Sequence, residues 1–268
     1  MVPSLFISHG LPPMALIDDP YNSAVINFGR NLDISGVVCV SSHWVTPGPV
    51  QLATNPSPFI QHNFQGYQKE LYDLDYKTPY SENLVQEVMT LLQTHSIEVI
   101  TNPYYGMDHG VWMPMRLIRP EADLPILQMS LPLDGSPRDI MKIGRCLSEL
   151  RKKGILLMGS GIAAFNASKI IWHSRGEQVH PKILEFDDWL QKRLLTASIE
   201  EILDYRKTSP HGEFAHPHPS TLLPLFFTIG TSMHGDLPQM IYKGFKYSST
   251  SLLTFCLGQR AIVEKTFS

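Results

Sequence analysis

Among the eleven histidines of this 268-residue chain, His9 and His43 have the placement that chemistry requires. Each follows an apolar run that ends in small polar residues: Leu5-Phe6-Ile7-Ser8-His9, and Val37-Val38-Cys39-Val40-Ser41-Ser42-His43. Open α/β sheets bind ligands beyond the carboxyl ends of their strands, so both imidazoles are expected at that edge. Two imidazoles are most of a mononuclear metal site. His109 lies in Tyr105-Gly106-Met107-Asp108-His109-Gly110, which reads as a tight loop presenting an imidazole for acid–base work or oxyanion binding. The alternative is that Asp108 caps a helix and the histidine is incidental. His216 and His218, in Phe214-Ala215-His216-Pro217-His218-Pro219, share a face if that segment is extended. The spacing also occurs in metal hydrolases, though a lone pair of this kind carries little weight. His62, in the first long loop, is placed to line a pocket. His95, His173, His180 and His234 stand in polar or turn-like contexts and read as surface residues.

Composition excludes several function classes. Hydrophobic residues are 43% and charged residues 18%, the balance of a folded globular chain. The net charge is −3 and no basic cluster marks a nucleic-acid surface. The longest basic run, Arg151-Lys152-Lys153, reads as the solvated end of a helix. Cys39, Cys146 and Cys256 are scattered, with no CxxC. They predict reduced thiols in a cytoplasmic protein and exclude a zinc ribbon. Neither a charged leader nor a long apolar run is visible, so no signal peptide or membrane span is expected.

The elements that must position the histidines are strands covered on both faces. Residues 5–8, 37–42, 98–101, 125–130, 155–159 and 252–257 are mostly continuous apolar runs. Helical patterns fall between them. Residues 81–95 align Leu84, Val88, Leu91 and Leu92 behind Ser81 as N-cap. Residues 138–153 align Ile140, Ile143, Leu147 and Leu150 and stop at Gly154. Residues 181–195 open on a first-turn proline and bury Ile183, Leu184, Phe186, Trp189, Leu190 and Leu194. The alternation predicts a single α/β domain over residues 1–268, a three-layer α/β/α sandwich with a mostly parallel or mixed central sheet. Residues 46–67 and 209–219 read as long functional loops.

Several segments carry a family resemblance: the initial His9-Gly10, VVCVSSHW at 37–44, HNFQGY at 62–67 with LYDLDY at 71–76, MDHGVW at 107–112, and AHPHPSTLLPLFFTIG at 215–230. Together, from about Leu5 to Gly258, the chain resembles the class III extradiol ring-cleavage dioxygenases, nearest the DOPA 4,5-dioxygenase-like branch. The resemblance implies one nonhaem iron(II), with zinc also able to bind. It implies insertion of O₂ next to a hydroxyl of a small catechol-type aromatic substrate. It assigns His9 and His43 as metal ligands and His109 as the histidine that assists at substrate or oxygen. His216 matches the histidine of the AHP segment and, with His62 and Trp44, is expected against the substrate. Trp44, Phe64, Tyr67, Tyr104, Tyr105 and Trp112 either stack on such a ring or are packing.

Two positions depart from the family pattern. Phe165 stands where the segment S-G-x-x-x-H-N has its histidine, and Thr221 where a histidine follows glutamate before Leu223-Pro224-Leu225. Phenylalanine neither ligates nor carries a proton, and a neutral hydroxyl is a poor ligand. His218 is the expected replacement ligand, with His216 and Glu213 as weaker substitutes. Three readings follow: a dioxygenase with a rebuilt metal site, a non-catalytic family member that binds a small molecule or partner, or a metal-dependent hydrolase using activated water.

Overall fold

The computed structural model describes residues 1–174 and 176–259; residues 260–268 of the expected domain lie outside the described ones. In chain order the elements are β1 (Ser4–Ser8), α1 (Pro20–Arg30), β2 (Gly36–Thr46), β3 (Val50–Ala53), α2 (Glu82–Thr94), β4 (Val99–Asn102), α3 (His109–Ile118), β5 (Ile126–Pro132), α4 (Pro137–Leu147) and β6 (Ile155–Gly161). There follow α5 (Pro181–Leu195), α6 (Ile199–Leu203), α7 (Tyr205–Thr208), α8 (Gly212–Ala215), α9 (Leu223–Gly230), β7 (Leu237–Tyr242), β8 (Phe245–Lys246), β9 (Thr250–Ser251) and β10 (Thr254–Gly258).

Among the described residues the main sheet is mixed, in the order β4-β3-β5-β2-β6-β1-β10-β7. Its centre, β5-β2-β6-β1, is parallel. Antiparallel pairings join β3 to β5, β1 to β10 and β10 to β7. Side chains alternate across a strand, and two cores result. Leu5, Ile7, Val37, Cys39, Leu156 and Met158 face α1 and α3. Phe6, Val38, Val40 and Leu157 face α2, α4, α5 and α9. The sandwich with its central strands covered on both faces is therefore as expected, while β4, expected to be covered as well, is a partly exposed edge strand.

Local chemistry explains most helix limits. Ser81 Oγ accepts from Leu84 N–H at 3.3 Å, as expected of an N-cap. Pro181 opens α5, and Nδ1 of His180 accepts from Lys182 N–H at 3.3 Å. The helix expected over 138–153 is α4 followed by a 3₁₀ segment, Ser148–Lys153, which ends on Gly154 at φ 81°.

Three expectations are corrected. Arg151 is not solvated. It is fully buried, pairs with Asp236 at 2.5 Å, and donates to the carbonyls of Val2, Thr231 and Leu257. Five guanidinium hydrogens can saturate such a pocket where an ammonium cannot. Leu184 is 41% exposed, because it lies off the stripe that Ile183, Phe186 and Leu190 turn inward. The two long loops hold structure: β3 lies within 46–67 and α8 within 209–219.

Candidate metal centre

His9 directly follows β1 and continues the Leu5–Ile7 row. Ser41 and Ser160 extend the equivalent rows of β2 and β6, where they are register partners. His43 emerges where the register of β2 against β5 shifts between Val40 and Val45. His109 comes from the same side, as the first residue of α3. Asp108 caps that helix, its Oδ1 accepting Gly110 N–H at 2.9 Å. The capping alternative and the functional one are thus both realised: the cap delivers the histidine to the sheet edge.

The three imidazoles converge, with one candidate ligand atom from each lying within 4.8 Å of the others. Nε2 of His9 and Nε2 of His43 are 3.0 Å apart, and the rings of His43 and His109 are 4.0 Å apart. His9 and His109 are buried and His43 is open to solvent on one side. Outer partners orient the rings. Nδ1–H of His9 donates to Ser160 Oγ at 3.0 Å, and that hydroxyl donates to the carbonyl of Gly110. Nδ1–H of His109 donates to Asn63 Oδ1 at 2.9 Å. These bonds assign the tautomers and leave Nε2 of both rings unprotonated, the arrangement outer partners give to metal-ligating histidines. Two bare Nε2 lone pairs would repel at 3.0 Å, so the His9–His43 pair calls for a proton or a cation between them.

Electrostatics keep the set neutral. Burial first, then the neighbouring His43 and His109, hold His9 well below the usual imidazole range. Burial and His43 do the same for His109. His43, hemmed in despite its open side, is lowered by desolvation while Asp108 opposes the shift. Neutral imidazoles are the ligating form. Zinc–nitrogen bonds of about 2.0–2.1 Å put tetrahedral ligand atoms about 3.4 Å apart, a spacing bracketed by the 3.0 Å between His9 and His43 and the 4.8 Å limit of the whole set. The donor set fits one divalent metal.

The other expected site residues are elsewhere. His218 is exposed and lines a cavity of about 440 Å³ with Leu203, Tyr205 and Phe226, away from the triad. His216 is fully buried against Phe186 and Tyr205; its Nε2–H donates to Ala163 O at 2.9 Å and its Nδ1 pairs with Thr221 Oγ1 at 2.8 Å. It is a core residue rather than a substrate contact. Thr221 spends its hydroxyl there, and Phe165, half-buried, bridges Thr250. Trp44 is 4% exposed and stacks on Tyr105 at 3.7 Å, so packing wins over a substrate face. His62 donates to Leu74 O at 3.1 Å, and Phe64 lies between it and His109. Sequence reasoning missed Ser41, Asn63, Gln128 and Ser160. The one available signal was Asp108-His109-Gly110 itself, which reads as a cap.

Residues 6–256 match the family described as the catalytic LigB subunit of aromatic ring-opening dioxygenase. The chain belongs to that family. Over 264 residues it is 31% identical to a protein of Beta vulgaris named 4,5-DOPA dioxygenase extradiol, covering 92% of this chain and 97% of that one. A protein of the same name from Escherichia coli K12 is 30% identical, over 96% and 95% of the two chains. The crystal structure of the uncharacterized protein JW3007 from E. coli K12 superposes with a TM-score of 0.82 at 26% identity, covering 96% of this chain and all of that one. Among the described residues no helix is long and apolar enough to cross a membrane.

Proposed function

We propose that this chain is a metal-dependent extradiol dioxygenase that opens a catechol-type ring with O₂ at a centre formed by His9, His43 and His109. One observation carries the reading: three imidazoles from β1, β2 and α3 converge, two of them with Nε2 turned inward by outer hydrogen bonds. The names of its relatives make a DOPA-like catechol the first substrate to try. Iron(II), when bound, would supply open positions for catecholate and O₂ and a path for electrons between them.

The chain's own residues do the rest. Desolvation at His9 and His109 keeps both imidazoles neutral at physiological pH. The open side of His43 gives substrate its approach, while His9 and His109 are buried behind it. His109 here acts as a third ligand. Its Nδ1–H is held by Asn63, and a metal on Nε2 leaves no nitrogen to move a proton. With Phe165 at the family's histidine position, proton transfer falls to solvent, and slow turnover is expected. The free, mostly buried cysteines suit a reducing compartment such as the cytoplasm.

Metal analysis of purified protein, then O₂ uptake with DOPA and protocatechuate under iron(II), tests the reading. One equivalent of metal and catechol-dependent uptake are expected. Metal binding without uptake would favour the non-catalytic reading. A triad of neutral imidazoles also suits zinc and an activated water; ester hydrolysis without O₂ consumption would favour the hydrolase.

A further inference from the structure

Asp108 does more than cap α3. Its side chain is completely buried, yet an N-cap needs a single acceptor oxygen. Here Oδ1 accepts both Gly110 N–H at 2.9 Å and Ser41 O–H at 2.8 Å. Oδ2 accepts Gln128 Nε2–H at 2.5 Å and Tyr105 O–H at 3.2 Å. Gln128 closes a ring of two bonds, because its Oε1 accepts the backbone N–H of Asp108 at 3.2 Å. Gln128 is on β5, paired in register with Cys39 of β2.

Ser41 carries the connection to the second histidine. Its Oγ donates to Asp108 and accepts from the backbone N–H of His43 at 3.2 Å. One carboxylate therefore reaches His43 through Ser41 and His109 through the first turn of α3. The packing leaves no slack: a Cβ built on Gly110 would lie 2.5 Å from Ser41 Oγ and 3.1 Å from His43 Cδ2. A buried carboxylate is tolerated only when its acceptor positions are filled, and here three of the four tie β2, β5 and α3 to the site, the fourth being taken by Tyr105 of the loop before α3.

We propose that Asp108, with Ser41 and Gln128, is a positioning clamp that sets the His43–His109 geometry before any metal arrives. The proposal rests on the metal centre of the preceding section only for its effect on affinity. The clamp itself is made of hydrogen bonds among the chain's own residues. Loss of such outer partners typically costs about 10–100-fold in metal affinity.

The experiment compares wild type with Asp108→Asn and Ser41→Ala in the full chain, so that one variant remains if the other does not fold. Histidine ring NMR is read first on metal-free protein. Single His43 and His109 signals are expected in wild type, and doubled or broadened ones in the variants, while His216 stays unchanged. Cobalt(II) is then titrated against a chromophoric chelator. The variants should bind about 10–100-fold more weakly, with shifted visible bands. Unchanged His43 and His109 signals would overturn the clamp, as would a disturbance reaching His216 equally, which marks general loosening. If wild type takes up no cobalt, the metal centre fails, and the metal-free spectra still decide the clamp.

Discussion

At the scale of single residues, the site depends on which nitrogen each imidazole offers. His9 and His109 spend Nδ1 on Ser160 and Asn63 and keep Nε2 for the centre. His109→Ala should therefore weaken metal binding as much as His9→Ala or His43→Ala, by about 100-fold or more for loss of one ligand in three. His218→Ala should leave binding unchanged. Calorimetric titration with zinc checks both. The two family positions that departed give a second expectation. Phe165→His returns a proton carrier, and general acid–base assistance of about 10²–10⁴-fold is the ceiling on the gain. Even a tenfold rise in catechol-dependent O₂ uptake, at unchanged metal content, would identify Phe165 as the cause of slow turnover.

At the scale of elements, buried polar groups decide how layers respond to pH. Asp187, on α5, accepts from Ser251 at 2.5 Å and Gln191 at 2.7 Å, and burial raises it from 3.8 to about 6. The folded chain thus keeps a proton that the unfolded chain has released, so this contribution is full below about pH 4 and is lost as pH rises through 6. His216 works the other way: burial lowers it from 6.5 to about 4, so its contribution is full above 6.5 and is lost as pH falls through 4. Each shift corresponds to about 3 kcal/mol, and the two oppose each other between pH 4 and 6. Asp187→Asn removes one of them. Its urea-unfolding free energy should climb more steeply with pH over that window than wild type, and parallel curves would contradict the assignment. These opposed groups were not visible in sequence. Nothing in the apolar pattern of residues 181–195 marked Asp187, and His216 read as part of a site.

For the whole molecule, the Arg151–Asp236 pair fastens the segment before β6 to the turn before β7 and to both chain segments beside it. Both side chains are fully buried. Removing one partner strands a charge, so Asp236→Ala should cost about 3–5 kcal/mol. A drop of less than 1 kcal/mol in chemical unfolding would show that water compensates. Arg151 was misread because a short basic run at a helix end is usually solvated, and only long-range packing of Val2, Thr231 and Leu257 around it says otherwise.

The central strands, their double-sided cover and the position of His9 could be read from sequence, because burial on both faces writes continuous apolar runs; His43 was expected just after its strand and instead lies within β2, where the register shifts. Helix α9 could not be read this way, since every one of its residues is buried, and α3 was left open between a tight loop and a helix capped by Asp108. The third member of the triad was decided by tertiary structure alone. His109 lies far along the chain from His9 and His43, and only the cap at Asp108, tied to β2 and β5, turns it toward them. The sequence singled out two candidate ligands and two positions that depart from the family pattern. Packing brought His109 beside His9 and His43 and sent His216 into the core.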